Sequence, residues 1–326
     1  MQSDYSTQSY NMVSRTIPLL DLSKYLHGNV QEKQDFVQEI GKAFTEVGFV
    51  GVKNHGVPKQ LIEDFYTAAK AFFALPEDMK RQYEIKGLAG QRGYTSFGKE
   101  HAKQSEHADL KEFFQIGQEV EGHSDYVYPD NIHITEIPEF TNLGIQLYKE
   151  FEKSGAALLQ AISEYLDLGV DYFDDKIKNG NSILRAIHYP PITKEPASAI
   201  RAEQHEDINL ITLLVGASAG GLQLLDNDNK WQTITPGEDE IVVNVGDMLQ
   251  RLTNNYLQST THRVVNPPRE EWHNPRLSIP FFLHPVRKMD LSCLDNCINS
   301  ERPLAYESIK AGEYLDERLQ EIGLKK

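Results

Sequence analysis

Two imidazoles and one carboxylate are the residues of this chain whose types and spacing first suggest chemistry. His205 and Asp207 flank Glu206, and His262 stands in the later run Thr261-His262-Arg263-Val264-Val265. Such a set can occupy one face of an octahedral ion and leave three positions open, the arrangement with which non-haem Fe(II) handles oxygen. On an extended segment, side chains two residues apart leave the same face, so His205 and Asp207 can chelate together. His262 must be returned to them by the fold. Arg276-Leu277-Ser278 repeats the two-residue spacing, and there a guanidinium and a hydroxyl can hold a carboxylate. His-X-Asp and Arg-X-Ser are each common alone, so their meaning rests on the elements that carry them.

Those elements read as short strands with regular turns. An apolar run over 209–215 is followed by the turn Gly220-Gly221, a strand at Leu222-Gln223-Leu224-Leu225 and a second turn over 226–229. Trp231-Gln232-Thr233-Ile234, the Pro236-Gly237 turn and the run Glu240–Val245 continue the pattern, and Pro280-Phe281-Phe282-Leu283 extends the strand begun at Arg276. Strands of this length and spacing predict a jelly-roll core, a double-stranded β-helix. The strand over 182–189, ending at Pro190-Pro191, would open it.

Upstream, the pattern turns helical. Ile17–Leu22 reads as extended, 31–47 as a helix, 48–53 as a strand, and Leu61, Ile62, Phe65, Tyr66, Ala69, Phe72 and Phe73 mark the apolar face of a second helix. Leu75-Pro76-Glu77 ends it and caps a short one. A long amphipathic helix begins near Thr141, is closed by Gly169 and should brace the jelly roll from outside. A last helix is expected through Tyr306, Ile309, Tyr314, Leu315, Leu319 and Ile322. The fold class is therefore α+β, a double-stranded β-helix with flanking helices. Its expected division is a disordered extension over 1–14, an N-terminal helical and strand region over 15–125 and the jelly-roll domain over 126–326, forming one compact unit.

Between Gly87 and Gly122, glycines alternate with Arg92, Tyr94 and Phe97 before the run Leu110–Ile116. Flexible joints between aromatic and cationic residues suit a loop over a pocket mouth, so Arg92, Tyr94 and Phe114 are expected substrate contacts. His55 reads as a turn residue with a structural hydrogen bond. His101, His107, His123 and His133 read as exposed, and Arg185 and His188 as structural.

The formal charge of -15 over 326 residues disfavours nucleic acid or an anionic membrane as the main partner, because both bind through Lys and Arg. A small-molecule substrate fits better. Cys293 and Cys297 are the only cysteines, too few for a disulfide scaffold, and a reducing cytoplasmic setting is the default. No apolar stretch is long enough to span a bilayer. The polar segment through Asn11 lacks the pattern of a secretory signal, and Met12 is an alternative start. Oligomeric state is not readable.

With these motifs in view, the chain resembles the isopenicillin N synthase-like family of 2-oxoglutarate- and Fe(II)-dependent oxygenases, as a bacterial-type member. His205-Glu206-Asp207, His262-Arg263-Val264, Arg276-Leu277-Ser278, Gly220-Gly221-Leu222-Gln223, Asn244-Val245-Gly246-Asp247 and the N-terminal run Gly48–Val57 carry the resemblance. It spans the chain from about Ile17 to the C-terminal helix. It implies Fe(II) on His205, Asp207 and His262. It also implies 2-oxoglutarate with its distal carboxylate on Arg276, Ser278 and Tyr189, O2 as second cosubstrate, and ascorbate as an accessory reductant. The implied reaction couples decarboxylation of 2-oxoglutarate to hydroxylation, desaturation or ring closure of a small organic substrate. One of Phe281 and Phe282 should face that substrate, with Phe282 taken as the contact. Glu206, charged where many plant relatives carry Thr or Ser, is a further candidate.

Three alternatives stand beside that reading. Isopenicillin N synthase itself uses no 2-oxoglutarate and holds a substrate carboxylate on the equivalent Arg-X-Ser. A homologue could bind a small molecule without turnover, since fold alone does not fix function. A hydrolytic metalloenzyme would need a general base beside the metal, and no residue nominates itself.

Overall fold

The computed structural model describes residues 17–321, except 89, 101–107, 121, 123–125, 197, 217 and 238. The expected extension over 1–14, His101, His107, His123 and Ile322 lie outside the described residues. In chain order the elements are β1 (Leu19–Asp21), α1 (Leu22–His27), α2 (Val30–Glu46), β2 (Phe49–Lys53), α3 (Lys59–Phe73), α4 (Glu77–Arg81), β3 (Gly93–Thr95), β4 (Glu112–Gly117), α5 (Glu139–Tyr165) and α6 (Asp174–Ile177). There follow β5 (Ile183–Tyr189), β6 (Ala202–His205), β7 (Ile211–Val215), β8 (Leu222–Leu225), β9 (Trp231–Thr233), β10 (Glu240–Val245), α7 (Asp247–Leu252), β11 (His262–Val264), β12 (Arg276–Leu283) and α8 (Ala311–Glu321).

Eight strands form a major sheet in the order β1-β2-β10-β7-β12-β5-β4-β3, and four form a minor sheet in the order β6-β11-β8-β9. The two face each other as the walls of a jelly roll. One apolar cluster lies between them, with Phe49, Phe113, Ile187 and Val242 from the major sheet and Ala202, Leu222, Leu224 and Val264 from the minor one. A larger core fills the other side of the major sheet, where α2, α3 and α5 pack. Phe151 of α5 stacks on Phe281 of β12 with centroids 5.6 Å apart, so the long helix does brace the sheet.

Because the major sheet is buried on both faces, its strands are apolar nearly throughout, yet alternation still sorts their side chains. In β12, Leu277, Ile279, Phe281 and Leu283 join the helix-side core, while Arg276, Ser278, Pro280 and Phe282 line the space between the sheets. β5 does the same, with Leu184 and Ala186 toward the helices and Arg185, Ile187 and Tyr189 toward the cavity.

Several boundaries differ from expectation. The segment expected as a loop over the pocket mouth carries β3 and β4, which close one edge of the major sheet by pairing β4 with β5. Strands from the 15–125 region thus lie at both edges of a sheet whose centre comes from the later region. Asp167, with φ 55°, lies just past the end of α5, and Leu168 N–H donates to the Ser163 carbonyl, so the turn forms before Gly169. Tyr306 and Ile309 precede α8 rather than belonging to it. Among the described residues no helix is long and apolar enough to cross a membrane.

Two positions bear on the segment that carries Asp207 and on the lining between the sheets. Gly246 follows β10 with its N–H on the Leu210 carbonyl, and a Cβ there would lie 2.2 Å from the Asn209 carbonyl oxygen. Gly246→Ala should therefore cost about 1–3 kcal/mol in denaturant unfolding and loosen the chain at Asp207; wild-type stability would refute the close-approach account. His284, just past β12, is buried, and burial pushes its imidazole down to about 4, with Asp207 opposing. The unfolded chain takes up a proton near pH 6.5 that the folded chain refuses, so this residue's contribution to stability falls as pH drops from 6.5 toward 4. Urea unfolding at pH 7 and pH 5 should show a difference smaller by about 2 kcal/mol in His284→Gln than in the native protein.

Candidate active site

The minor sheet supplies both histidines by direct pairing. β6 and β11 are antiparallel with His262 opposite His205, and the two rings lie 4.4 Å apart. Asp207 follows the end of β6 and turns back between them: its Oδ1 is 3.9 Å from His205 Nε2 and 3.8 Å from His262 Nε2. These three ligand atoms lie within 4.8 Å of one another, and no other such group occurs among the described residues.

Each ligand is aimed by a second bond. His205 Nδ1 donates to the Glu203 carbonyl at 2.6 Å and His262 Nδ1 to the Thr260 carbonyl at 3.1 Å, which leaves each Nε2 with a lone pair toward the shared centre. Asp207 Oδ2 accepts from Thr212 Oγ1 at 2.6 Å and from Asn244 Nδ2 at 2.9 Å, which leaves Oδ1 free to ligate. Phe49 packs edge-on against His262. Burial alone would raise the Asp207 carboxyl, but His262, His205 and these two donors hold it below its ordinary value. His205 is pushed down by burial and by His262, which favours its neutral, ligating form. A hard, neutral-imidazole and carboxylate donor set fits a divalent first-row ion such as Fe(II).

The centre opens on a cavity of about 810 Å³ between the sheets. At one end, the pairing of β12 with β5 sets Arg276 opposite Tyr189 and Ser278 opposite Ile187. Arg276 is 1% exposed; its Nε donates to the Ala219 carbonyl, while Nη1 is sealed from solvent with no acceptor. A buried guanidinium with a spare donor, beside a serine hydroxyl, is a fit for the carboxylate end of 2-oxoglutarate.

Toward the metal, the wall carries Arg185, Lys111, Gln115 and Phe282. Arg185 Nη1 meets both oxygens of Glu100 at 3.2 Å, and its Nε donates to Gln115 Oε1 at 3.0 Å. Its guanidinium carbon lies 4.1 Å from the Phe113 ring centroid and 5.2 Å from that of Phe282. Lys111 pairs with Glu100 at 2.7 Å and Asp109 at 2.8 Å. Burial alone would raise the Glu100 carboxyl, yet Arg185 and Lys111 hold it at about 2.

Three expected substrate contacts do not reach this cavity. Arg92 is buried elsewhere, donating to Pro129 O, Gln91 O and Gln118 Oε1. Tyr94 bonds Glu112 and packs in the helix-side core, where Phe114 meets Phe72 and Phe140 edge to face. Expected as a loop over the pocket mouth, the segment instead supplies a wall strand, and on β4 the cavity-facing member of the adjacent pair is Gln115 rather than Phe114. Phe282 and Glu206 do line the cavity, Glu206 at the exposed rim accepting from Thr261 Oγ1. Lys111, Glu100 and Gln115 were not signalled by the sequence, and Arg185, expected to make only structural hydrogen bonds, also lines the cavity, two alternations back along β5 from Tyr189. His55 is structural, its Nδ1 accepting from Val57 N–H, and His188 bonds Glu112 and stacks on Phe73. Thr212→Val should lower Fe(II) affinity on the order of ten-fold through loss of its bond to Asp207, as read by competition with a metal-binding dye; unchanged affinity would remove Thr212 from the site.

Comparison with known proteins agrees with this geometry. A model described as the N-terminal region of non-haem dioxygenase in morphine synthesis matches residues 17–136, and one for the 2OG-Fe(II) oxygenase superfamily matches residues 180–285. The 2-oxoglutarate-dependent dioxygenase htyE of Aspergillus rugulosus is 30% identical over 312 residues, covering 89% of this chain and 94% of the relative. A solved 2OG-Fe(II) oxygenase family protein of Caulobacter crescentus is 43% identical with a TM-score of 0.85, covering 95% of this chain and 100% of its own. Full-length Neurospora crassa T7H, solved with alpha-KG and thymine, is 31% identical with a TM-score of 0.84, covering 95% and 98%. A His-Asp-His cluster sharing a cavity with an arginine that keeps a spare buried donor, on a chain related along its length to such enzymes, leads to one conclusion: this protein belongs to the 2-oxoglutarate- and Fe(II)-dependent oxygenase superfamily.

Proposed function

We propose that His205, Asp207 and His262 hold the iron of this dioxygenase, and that Arg276, Ser278 and Tyr189 receive the distal carboxylate of 2-oxoglutarate. The chamber walled by Arg185 and Phe282 then takes an uncharged, planar substrate bearing a hydrogen-bond acceptor. Bound iron would supply the activation of O2, the four-electron oxidant: two electrons would come from decarboxylation of 2-oxoglutarate to CO2 and succinate, which keeps one oxygen atom, and two from the substrate C–H bond, which receives the other. The protein's part is positional. Thr212 and Asn244 fix Asp207, the Glu203 and Thr260 carbonyls fix the histidine tautomers, and the apolar lining from Leu214, Leu222 and Val264 keeps water from the reacting carbon.

The substrate reading is carried by the pairing of the wall cations. Arg185 and Lys111 each have a carboxylate partner, so an anionic substrate would have to displace Glu100 or Asp109. Arg185 nonetheless makes these bonds through Nε and Nη1, and its guanidinium lies beside the Phe282 ring, so Nη2 is left to donate to a ligand there. A rigid donor next to an aromatic face suits a ring carbonyl. T7H, which binds thymine, supports a compact heterocycle of that kind. A cytoplasmic setting is supported by Cys293 and Cys297, both buried free thiols.

Metal-free protein mixed anaerobically with Fe(II) and 2-oxoglutarate should give the visible iron-to-keto-acid charge-transfer band, absent in His262→Ala. Iron bound at one equivalent without the band would favour an oxidase in which Arg276 and Ser278 hold the substrate itself. In air, succinate release should be stimulated by neutral heterocycles and not by their carboxylated analogues. Arg185→Gln should raise KM for the heterocycle about ten-fold while leaving the band unchanged; stimulation by carboxylated compounds alone would overturn the uncharged-substrate reading.

A further inference from the structure

A second arginine stands behind Tyr189, next to the cavity end proposed for the cosubstrate's carboxylate, and sequence reasoning did not single it out. Arg201, just ahead of β6, is 2% exposed. Its Nη2 donates to the Asn274 carbonyl at 3.0 Å, and its Nε is sealed from solvent with no acceptor. Neither Arg201 nor Arg276 has an ion-pair partner among the described residues, in contrast to Arg185 and Lys111. Both guanidiniums approach the same ring: their central carbons are 5.9 Å and 5.0 Å from the Tyr189 centroid.

Two buried like charges that share one aromatic ring and no paired carboxylate, with Glu271 acting on Arg201 only from beyond ion-pair distance, form an unfavourable arrangement. Each guanidinium has lost water, and the two repel. The guanidinium of Arg201 is accordingly held below its ordinary range, by burial first and by Arg276 second. Packing alone does not call for this charge, since an apolar side chain of similar length could fill the space. A bound carboxylate would relieve both the repulsion and the unpartnered donor of Arg276. Arg201 does not itself line the cavity, so it would act from behind Tyr189 through its charge and by holding the ring.

We propose that Arg201 is a positioning residue of the cosubstrate site: its charge adds to that of Arg276, so that this end of the cavity selects a 2-oxo acid with an ionised far end over one whose far end is uncharged. The inference rests on the assignment of Arg276 and Ser278 to 2-oxoglutarate, and its test separates the two.

Fe(II)-loaded protein is titrated anaerobically with 2-oxoglutarate and with 2-oxohexanoate, which has no distal carboxylate, and the charge-transfer band reports binding of each. In Arg201→Met, 2-oxoglutarate should bind at least about ten-fold more weakly while 2-oxohexanoate stays within about two-fold of the native protein. Arg201→Lys should recover most of the difference. Without ligand, Arg201→Met should melt at or above the native temperature, because an uncompensated charge has gone, and 2-oxoglutarate should stabilise it less. Arg201→Gln, which can keep the bond to Asn274, serves as the second variant. Unchanged 2-oxoglutarate affinity, an equal loss for both acids, or failure of both the Met and Gln variants to fold would overturn the proposal in favour of a structural role. Arg276→Met is the control: if it alone loses 2-oxoglutarate, only the role of Arg201 fails. If it binds normally, the cosubstrate assignment fails with it.

Discussion

Alternation along a strand is the constraint on which this active site depends. A sheet packed on both faces cannot shift one strand by a residue without exchanging every side chain between the helix-side core and the cavity. In β12 such a slip would drive Arg276 and Ser278 among α5 and the core phenylalanines and turn Leu277 and Ile279 toward the cavity. The large apolar contribution of Phe281 against Phe151 and Tyr148 therefore fixes more than stability. It fixes which residues reach the cavity.

The metal centre extends the same logic to the opposite wall. His205 and His262 come from neighbouring strands of the minor sheet, whereas the groups that orient Asp207, Thr212 and Asn244, come from β7 and β10 of the major sheet. Asp207 thus ties the two sheets together at the point where the ion would sit. Register in each sheet sets the position of the donors, and the inter-sheet core sets their separation. A facial centre needs both, because ligand angles tolerate little slack once backbone carbonyls have fixed the histidine tautomers.

Much of this was legible in the sequence because its signals were local. Two-residue spacings identified His205 with Asp207 and Arg276 with Ser278, and turn residues bounded β7 to β10. The misses have a common physical origin. Around Phe114, both faces of β4 are buried, so Phe113, Phe114 and Gln115 give no amphipathic pattern from which to choose a face. Glycines between 87 and 98 suggested a free loop, yet Gly93 accommodates a short strand because a Cβ there would meet the Tyr83 carbonyl oxygen at 2.4 Å. Lys111, Glu100 and Arg185 form one network from three distant segments. No local pattern reports such a meeting; pairing of β4 with β5 creates it.

That network also separates the two ends of one cavity electrostatically. Near Arg276, positive charge is left without a carboxylate partner, while near His205 the arginine and lysine of the wall are paired within the protein. The surrounding chain is strongly acidic, with a formal charge of -15, so the unpaired cations are a local feature set against the overall field. An anionic cosubstrate is favoured at the first end and gains little at the second, where Glu100 already occupies Arg185. On the proposed assignment its keto-acid end would be directed toward His205, Asp207 and His262, and the chamber beside Phe282 would be kept for a molecule that brings no charge of its own. One sheet face can sort two ligands in this way because successive inward positions of β12 and β5 carry different chemistry in a fixed order.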